Sequence, residues 1–254
     1  MQADLYTWML VFLRVSAFLW MLPFFSAANF PVTLRVALAA VAALLLTPVL
    51  PAFAVGGLPF FSVLGVMAQE IAIGLLLGFV ARMIFYTVDL AGSVIASELG
   101  LNMASILDPV SQGSSQIPGT VLFYLATLVM LTLNLHHWLL VGFERSYSAV
   151  PIGGAHLHGE MFDIVSGEIS RVFVVAVEVA APVLAVSFVI SVVFGILSRA
   201  VPQMNVFILS FSFRIVGGLI VFGFVLQLAA QHVVNYFHRL PADLLNLAQW
   251  TGLN

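Results

Sequence analysis

The position of its charges constrains this chain more than any other feature. Only 7% of residues are Asp, Glu, Lys or Arg, and several of them interrupt otherwise apolar helical stretches. A charge near the middle of a membrane-spanning helix costs about 2.5 to 3.5 kcal/mol on insertion scales, so Arg14, Arg82, Asp89, Arg171, Glu178 and Arg214 each require compensation. That compensation must come from protein or water, not from lipid. With 62% hydrophobic residues and a mean hydropathy of +1.15, the chain reads as an integral membrane protein.

At 254 residues the chain suits one bundle of six or so apolar helices, or two smaller helical units, with no soluble domain between them. A net charge of -3 and scattered Arg residues give no basic footprint, so no nucleic-acid partner is expected. The absence of cysteine removes disulfides, thiolate metal sites and Cys nucleophiles. Lysine is absent too, so the chain holds neither the phosphate-cradling G-x-x-x-x-G-K-[ST] loop nor a Schiff-base amine. Any energy used comes from another subunit or an ion gradient. The first helix carries Asp4 and Arg14 where a signal peptide needs a positive start and an unbroken apolar core. It is therefore expected to stay in the mature protein, although Ser26, Ala27 and Ala28 suit a peptidase.

Apolar periodicity and Pro/Gly punctuation predict an all-α protein of six helical segments. The first covers residues 6–25 and the second, short for a span, residues 33–46. A Pro/Gly-rich loop precedes a third over 60–101, which would be about 60 Å long at 1.5 Å per residue against an apolar bilayer core of about 30 Å. It either folds back at Gly74 or Gly78 or continues as one long helix. A polar stripe favours the long helix, because Asp89, Ser93, Ser97 and Gly100 recur at helical spacing and Arg82 extends the same face. A fourth helix is expected over 120–141, a fifth over 161–197 and a sixth over 206–238, with an amphipathic tail after Pro241. The stretch 151–158 is the natural internal boundary.

Several constellations have both a functional and a structural reading. The stripe Arg82, Asp89, Ser93, Ser97 suits a water-filled path or a partner groove, unless the charges are neutralised within the chain and the serines bond to their own helix. Arg171 and Glu178 share a face of the fifth helix and suit either an intersubunit contact or a helix end at the membrane surface. Gln227, Gln231, Asn235 and His238 form a comparable stripe, read as a solvated helix end. His136 with His137, and His156 with His158, lack the convergent partners of a metal site, so no metal or cofactor is expected. Gly113-Ser114-Ser115 falls short of a nucleophile elbow, since Ile117 stands at the second glycine position. An intramembrane serine protease and a secondary transporter centred on Arg82 and Asp89 are the competing functions. The irregular stretch Asn102 to Gly119 reads mechanically, since irregular backbone at membrane depth needs protein or a water-filled cavity around it. A Ser/Gly/Gln segment bounded by Pro109 and Pro118 suits a movable plug or an ordinary exposed loop.

The turn Arg199-Ala200-Val201-Pro202-Gln203-Met204-Asn205-Val206-Phe207 between two apolar helices resembles the signature of the FliR family of type III export-gate proteins. Arg14, the turn Pro31-Val32-Thr33-Leu34-Arg35, Gly100 followed by Asp108-Pro109, and Pro151-Ile152-Gly153 resemble that family in the same order. The resemblance implies no enzymatic activity and no cofactor. It implies a structural subunit that joins FliP-like and FliQ-like membrane proteins, beside other export-apparatus membrane proteins, in a channel for unfolded flagellar polypeptides. The localisation implied is the bacterial inner membrane at the flagellar basal body, and the homologous injectisome gate is the alternative. Residues 1–158 would be FliP-like and residues 159–254 a FliQ-like hairpin. The segment Ile106-Leu107-Asp108-Pro109-Val110-Ser111-Gln112-Gly113-Ser114-Ser115-Gln116-Ile117-Pro118 would be the plug. Arg14, Arg82, Asp89, Ser93, Ser97, Arg171 and Glu178 would be subunit contacts or channel lining, and Arg199, Pro202, Gln203, Met204 and Asn205 the hairpin turn.

Overall fold

The computed structural model describes residues 2–26, 30–53, 59–101, 117–155, 160–203 and 205–252, and among these every regular element is helical. The helices are α1 (Gln2–Met21), α2 (Pro23–Ser26), α3 (Val32–Leu46), α4 (Phe60–Glu98), α5 (Ile117–Thr132), α6 (His136–Ala149), α7 (Glu160–Ala200) and α8 (Val206–Gly252). A short 3-10 turn, Thr47–Val49, follows α3. Among the described residues four stretches are long and apolar enough to cross a membrane, Val32–Val49, Phe60–Glu98, Val165–Ala200 and Ile208–Asn246, and α5 with α6, bent by 75°, would make a fifth if the pair is one span. The protein is an integral membrane helical protein, as its composition requires.

Helix boundaries follow local chemistry. Pro23 interrupts the first expected segment, since proline lacks the amide that would continue the ladder. The third segment is one helix of 39 residues. It ends where the Leu101 amide donates to the Ala96 carbonyl and the Gly100 amide to the Ser97 carbonyl, both at 3.0 Å. Gly100 has φ +72° there, the left-handed conformation that closes helices in this way. The fourth expected helix is two, because Asn134 adopts φ 53° between α5 and α6. Asn tolerates that region better than most residues, so the break carries no glycine or proline signal. α8 runs on past Pro241, which it contains, and the Asn205 side chain caps its start by accepting from the Ile208 amide at 3.4 Å.

The described residues form two compact units that interleave along the chain. The first comprises residues 1–83, 134–169 and 236–254. Within it α1 lies against α4 at Gly74 and Gly78, spaced as a small-xxx-small pair. A Cβ on Gly74 would stand 2.3 Å from the Arg14 carbonyl oxygen, and one on Gly78 would stand 2.6 Å from the Met21 Cβ. These glycines set a close helix approach and are not bend points. Phe18 and Phe143 add an aromatic contact with ring centroids 4.7 Å apart. The second unit comprises residues 84–133 and 170–235. There Gly92 of α4 meets Gly119 of α5, where a Cβ would lie 2.1 Å from the opposing Cα. The Ser187 hydroxyl donates to Glu98 Oε2 at 2.7 Å.

Gly74→Ala should therefore force α1 and α4 apart, lowering stability by about 1 to 3 kcal/mol as overpacking does. Gly65→Ala is the control, since nothing lies within 4 Å of its added methyl, and helix propensity favours that change by up to about 1 kcal/mol. Thermal unfolding in detergent should show a lowered midpoint for Gly74→Ala alone.

Candidate functional site

The densest polar site in the first unit is built around Arg14. Its Nε donates to Glu70 Oε2 at 2.6 Å and its Nη2 to Glu70 Oε1 at 3.0 Å, a two-pronged pairing. Both side chains are 0% exposed. Nη1 and Nη2 also donate to the Val150 carbonyl at 3.1 and 3.2 Å. The Gly153 amide in turn donates to Glu70 Oε1 at 3.1 Å. The guanidinium carbon lies 4.1 Å from the centroid of the Tyr147 ring, a cation-π placement that adds to the compensation of the charge.

Three chain segments are drawn together by this one pair. α1 supplies the cation and α4 the anion, and both ions hold the segment that leaves α6. That segment turns where Gly153 adopts φ +75°, and a Cβ there would come within 2.9 Å of the Phe53 ring. Phe53 is itself tied to α1, since its amide donates to the Thr7 hydroxyl at 2.9 Å. The arrangement satisfies charges and backbone groups inside protein, as a low-dielectric setting requires. Its chemistry is that of a lock. The carboxylate is spent on three donors, and no group of three or more His, Cys, Asp or Glu positioned for a metal ion occurs among the described residues.

Arg14 thus finds its partner inside the chain, although it was expected as a subunit contact or channel lining. Arg82 is half-buried and donates to the Met21 carbonyl at 3.4 Å. Ser93 turns back onto the Leu90 carbonyl at 2.8 Å, the local bond that serine makes on an apolar helix. Asp89, Ser97, Arg171 and Glu178 are exposed, as are Arg199, Pro202, Gln203 and Asn205 of the hairpin turn. Met204 and plug residues 106–116 lie outside the described residues, while Ile117 and Pro118 open α5. Arg214 donates to the Ser191 hydroxyl at 2.8 Å. In the second unit Gln227, Gln231 and Asn235 line an open cleft of about 460 Å³ with Val129 and Leu133.

Glu70, Tyr147, Glu98 and Ser187 were not singled out in the sequence. Glu70 carried a usable signal: a lone acid in an apolar run, one helical turn before Gly74, in a chain whose Arg14 required an anion.

Comparison with known proteins gives one family and several relatives. The profile described as "Bacterial export proteins, family 1" matches residues 5–240. The chain is similar to "Flagellar biosynthetic protein FliR" of Escherichia coli (strain K12), 29% identical over 246 residues, covering 96% of this chain and 93% of that protein. It is similar to the Bacillus subtilis (strain 168) protein of the same name at 29% over 252 residues, covering 97% and 96%. The Aquifex aeolicus (strain VF5) protein of that name is 25% identical over 233 residues, covering 92% and 90%.

Removing one half of the buried pair leaves the other ion uncompensated, at a cost of about 3 to 5 kcal/mol. Glu70→Gln and Arg14→Met should each strongly reduce the folded protein recovered from membranes. The double variant Arg14→Met/Glu70→Leu should recover part of the loss, because apolar groups of similar volume replace a buried pair at small cost. Equal recovery of both single variants and the wild type, read by size-exclusion and thermal unfolding in detergent, would contradict this role.

Proposed function

This chain belongs to the bacterial export proteins, family 1, and on that premise we propose that it is a structural component of the flagellar protein-export apparatus. The observation that carries the reading is the family match over residues 5–240. Relatives named for flagellar biosynthesis that align over nearly their whole length support it. In finer terms, we assign the chain to an export gate in the bacterial inner membrane at the flagellar basal body. There it joins FliP-like and FliQ-like subunits, beside other export-apparatus membrane proteins, and unfolded flagellar polypeptides pass through the channel they form.

Two physical features support this assignment. The spans in α3, α7 and α8 bury only 17 to 22% of their apolar windows within the chain, which leaves broad faces for neighbouring subunits and lipid. The most buried charges are committed to packing, as suits a scaffold without chemistry of its own. Residues 1–158 are assigned as the FliP-like part and 159–254 as the FliQ-like hairpin, a division of ancestry that is distinct from the interleaved packing units. Residues 106–118 are assigned as the plug, on the strength of their Ser/Gly/Gln composition between Pro109 and Pro118. Asp89, Ser97, Arg171 and Glu178 are assigned to subunit contacts or channel lining, which their exposure permits.

Gentle extraction of the tagged chain should bring down two small helical membrane proteins in multiple copies, identified by mass analysis. A fully folded, monodisperse monomer that needs no companions for stability would count against the gate. Deleting Ser111 to Gln116 should raise ion and small-solute leakage through the assembled complex. An unchanged leak would show that these residues do not seal it.

A further inference from the structure

We propose that the first turn of α3, with Arg35 held over Trp20, binds the phosphate of an anionic phospholipid headgroup. The inference rests on the reading of Val32–Val49 as a membrane span and does not depend on what the proposed assembly carries.

Arg35 is more than nine-tenths buried, at 8% exposure, and its Nε has no hydrogen-bond partner among the described residues. Its guanidinium carbon lies 4.8 Å from the Trp20 ring centroid. A guanidinium that meets a ring with its face keeps its in-plane N–H donors directed away from that ring. A buried cation with an idle donor calls for an anion from outside the chain.

The surroundings supply the rest of an anion site. Leu34 and Arg35 amides both turn onto the Pro31 carbonyl, at 3.1 and 3.2 Å. The amides of Val32 and Thr33 then lack partners among the described residues, and the helix has no side-chain cap and no acid in its first turn. Helix side chains lean towards the N-terminus, the direction in which those two amides lie from Arg35. The positive end of the α3 dipole acts on the same spot. Arg82 bonds to the carbonyl of Met21, next to Trp20, and adds a second guanidinium at this end of α1.

The membrane setting identifies the occupant. A span that begins at Val32 begins at an interface, where phosphodiesters lie. Trp20 is 57% exposed, and Phe25 meets Phe30 edge-on with centroids 5.4 Å apart, so the turn carries the aromatic side chains typical of that depth. Arg35 lies three residues inside the span, within snorkelling reach of a phosphate. Beyond it Leu38, Val41, Leu44 and Leu45 present exposed apolar surface along α3, matching acyl chains attached to that phosphate. An uncompensated cation favours a headgroup of net negative charge over one that carries its own cation.

The test uses the full chain extracted with its accompanying subunits and placed in nanodiscs of mixed phosphatidylglycerol and phosphatidylcholine. Native mass spectrometry should show phosphatidylglycerol retained about tenfold more weakly by Arg35→Gln, a change of about 1.4 kcal/mol, with phosphatidylcholine retention unchanged. Equal phosphatidylglycerol retention by both proteins would overturn the proposal. So would loss of companion subunits without loss of lipid, which would assign Arg35 to a protein carboxylate. Should Arg35→Gln fail to fold, photo-reactive phosphatidylglycerol applied to the unaltered chain should label the peptides carrying Trp20 and Arg35. Competition by unlabelled phosphatidylglycerol supports the lipid, and equal competition by soluble glycerol phosphate overturns it.

Discussion

The ion pair between Arg14 and Glu70 is the constraint on which the packing of the first unit depends. Taking a carboxylate and a guanidinium out of water costs several kcal/mol per ion, and their attraction offsets this only with near-ideal geometry and every remaining donor occupied. Here the fork is two-pronged at 2.6 and 3.0 Å, and spare capacity goes to the Val150 carbonyl and the Gly153 amide. Such geometry requires α1 and α4 to lie close together, and Gly74, one turn after Glu70, is where their backbones meet. Arg14 therefore enters the interface twice, through its side chain to Glu70 and through its carbonyl against Gly74. The pair specifies register: sliding α4 by one residue would separate the ions and place side chains where only hydrogen fits.

Lipid supplies no hydrophobic drive to bring apolar helices together, so small residues and polar contacts must do that work. The described residues show both devices in each unit. The first has Gly74 and Gly78 beside the ion pair, and the second has Gly92 against Gly119 beside the bond from Ser187 to Glu98. α4 contributes to every one of these contacts, and 61% of its apolar window is buried, against 22% or less for the other three spans. A helix that supplies glycines and acids to the packing within each unit cannot be repacked piecemeal.

The helices were legible in the sequence wherever composition alone decides them. Apolar runs bounded by Pro and Gly fall on α3, α4 and α7 within a few residues, and Gly100 ends α4 as its residue type suggests. The break between α5 and α6 was not legible, because Asn134 reaches positive φ without a breaker residue. The candidate site was half legible. Arg14 declared itself as a charge in need of compensation, but its partner lies 56 residues away, and no periodicity links positions so distant. At Gly74 the sequence left open a fold-back or one continuous helix, and close approach to α1 became visible only with the neighbouring Arg14 carbonyl in place.

Internal neutralisation of Arg14 changes what the proposed assembly can use for recognition. An uncompensated guanidinium on the surface would have selected partners by charge, strongly and over some distance in a low dielectric. With that cation spent inside the first unit, the surfaces left on α3, α7 and α8 are largely apolar, interrupted by groups such as Arg171, Glu178, Gln227, Gln231 and Asn235. Selectivity among apolar helices then rests on shape and on these few polar groups, each of which must meet a partner or water when a neighbour covers it. In the proposed assembly, these polar interruptions are therefore the points at which one apolar face can be told from another. Moving one of them by a single residue turns it about 100° around the helix and leaves it facing a surface that cannot satisfy it, at a cost of about 1 to 3 kcal/mol.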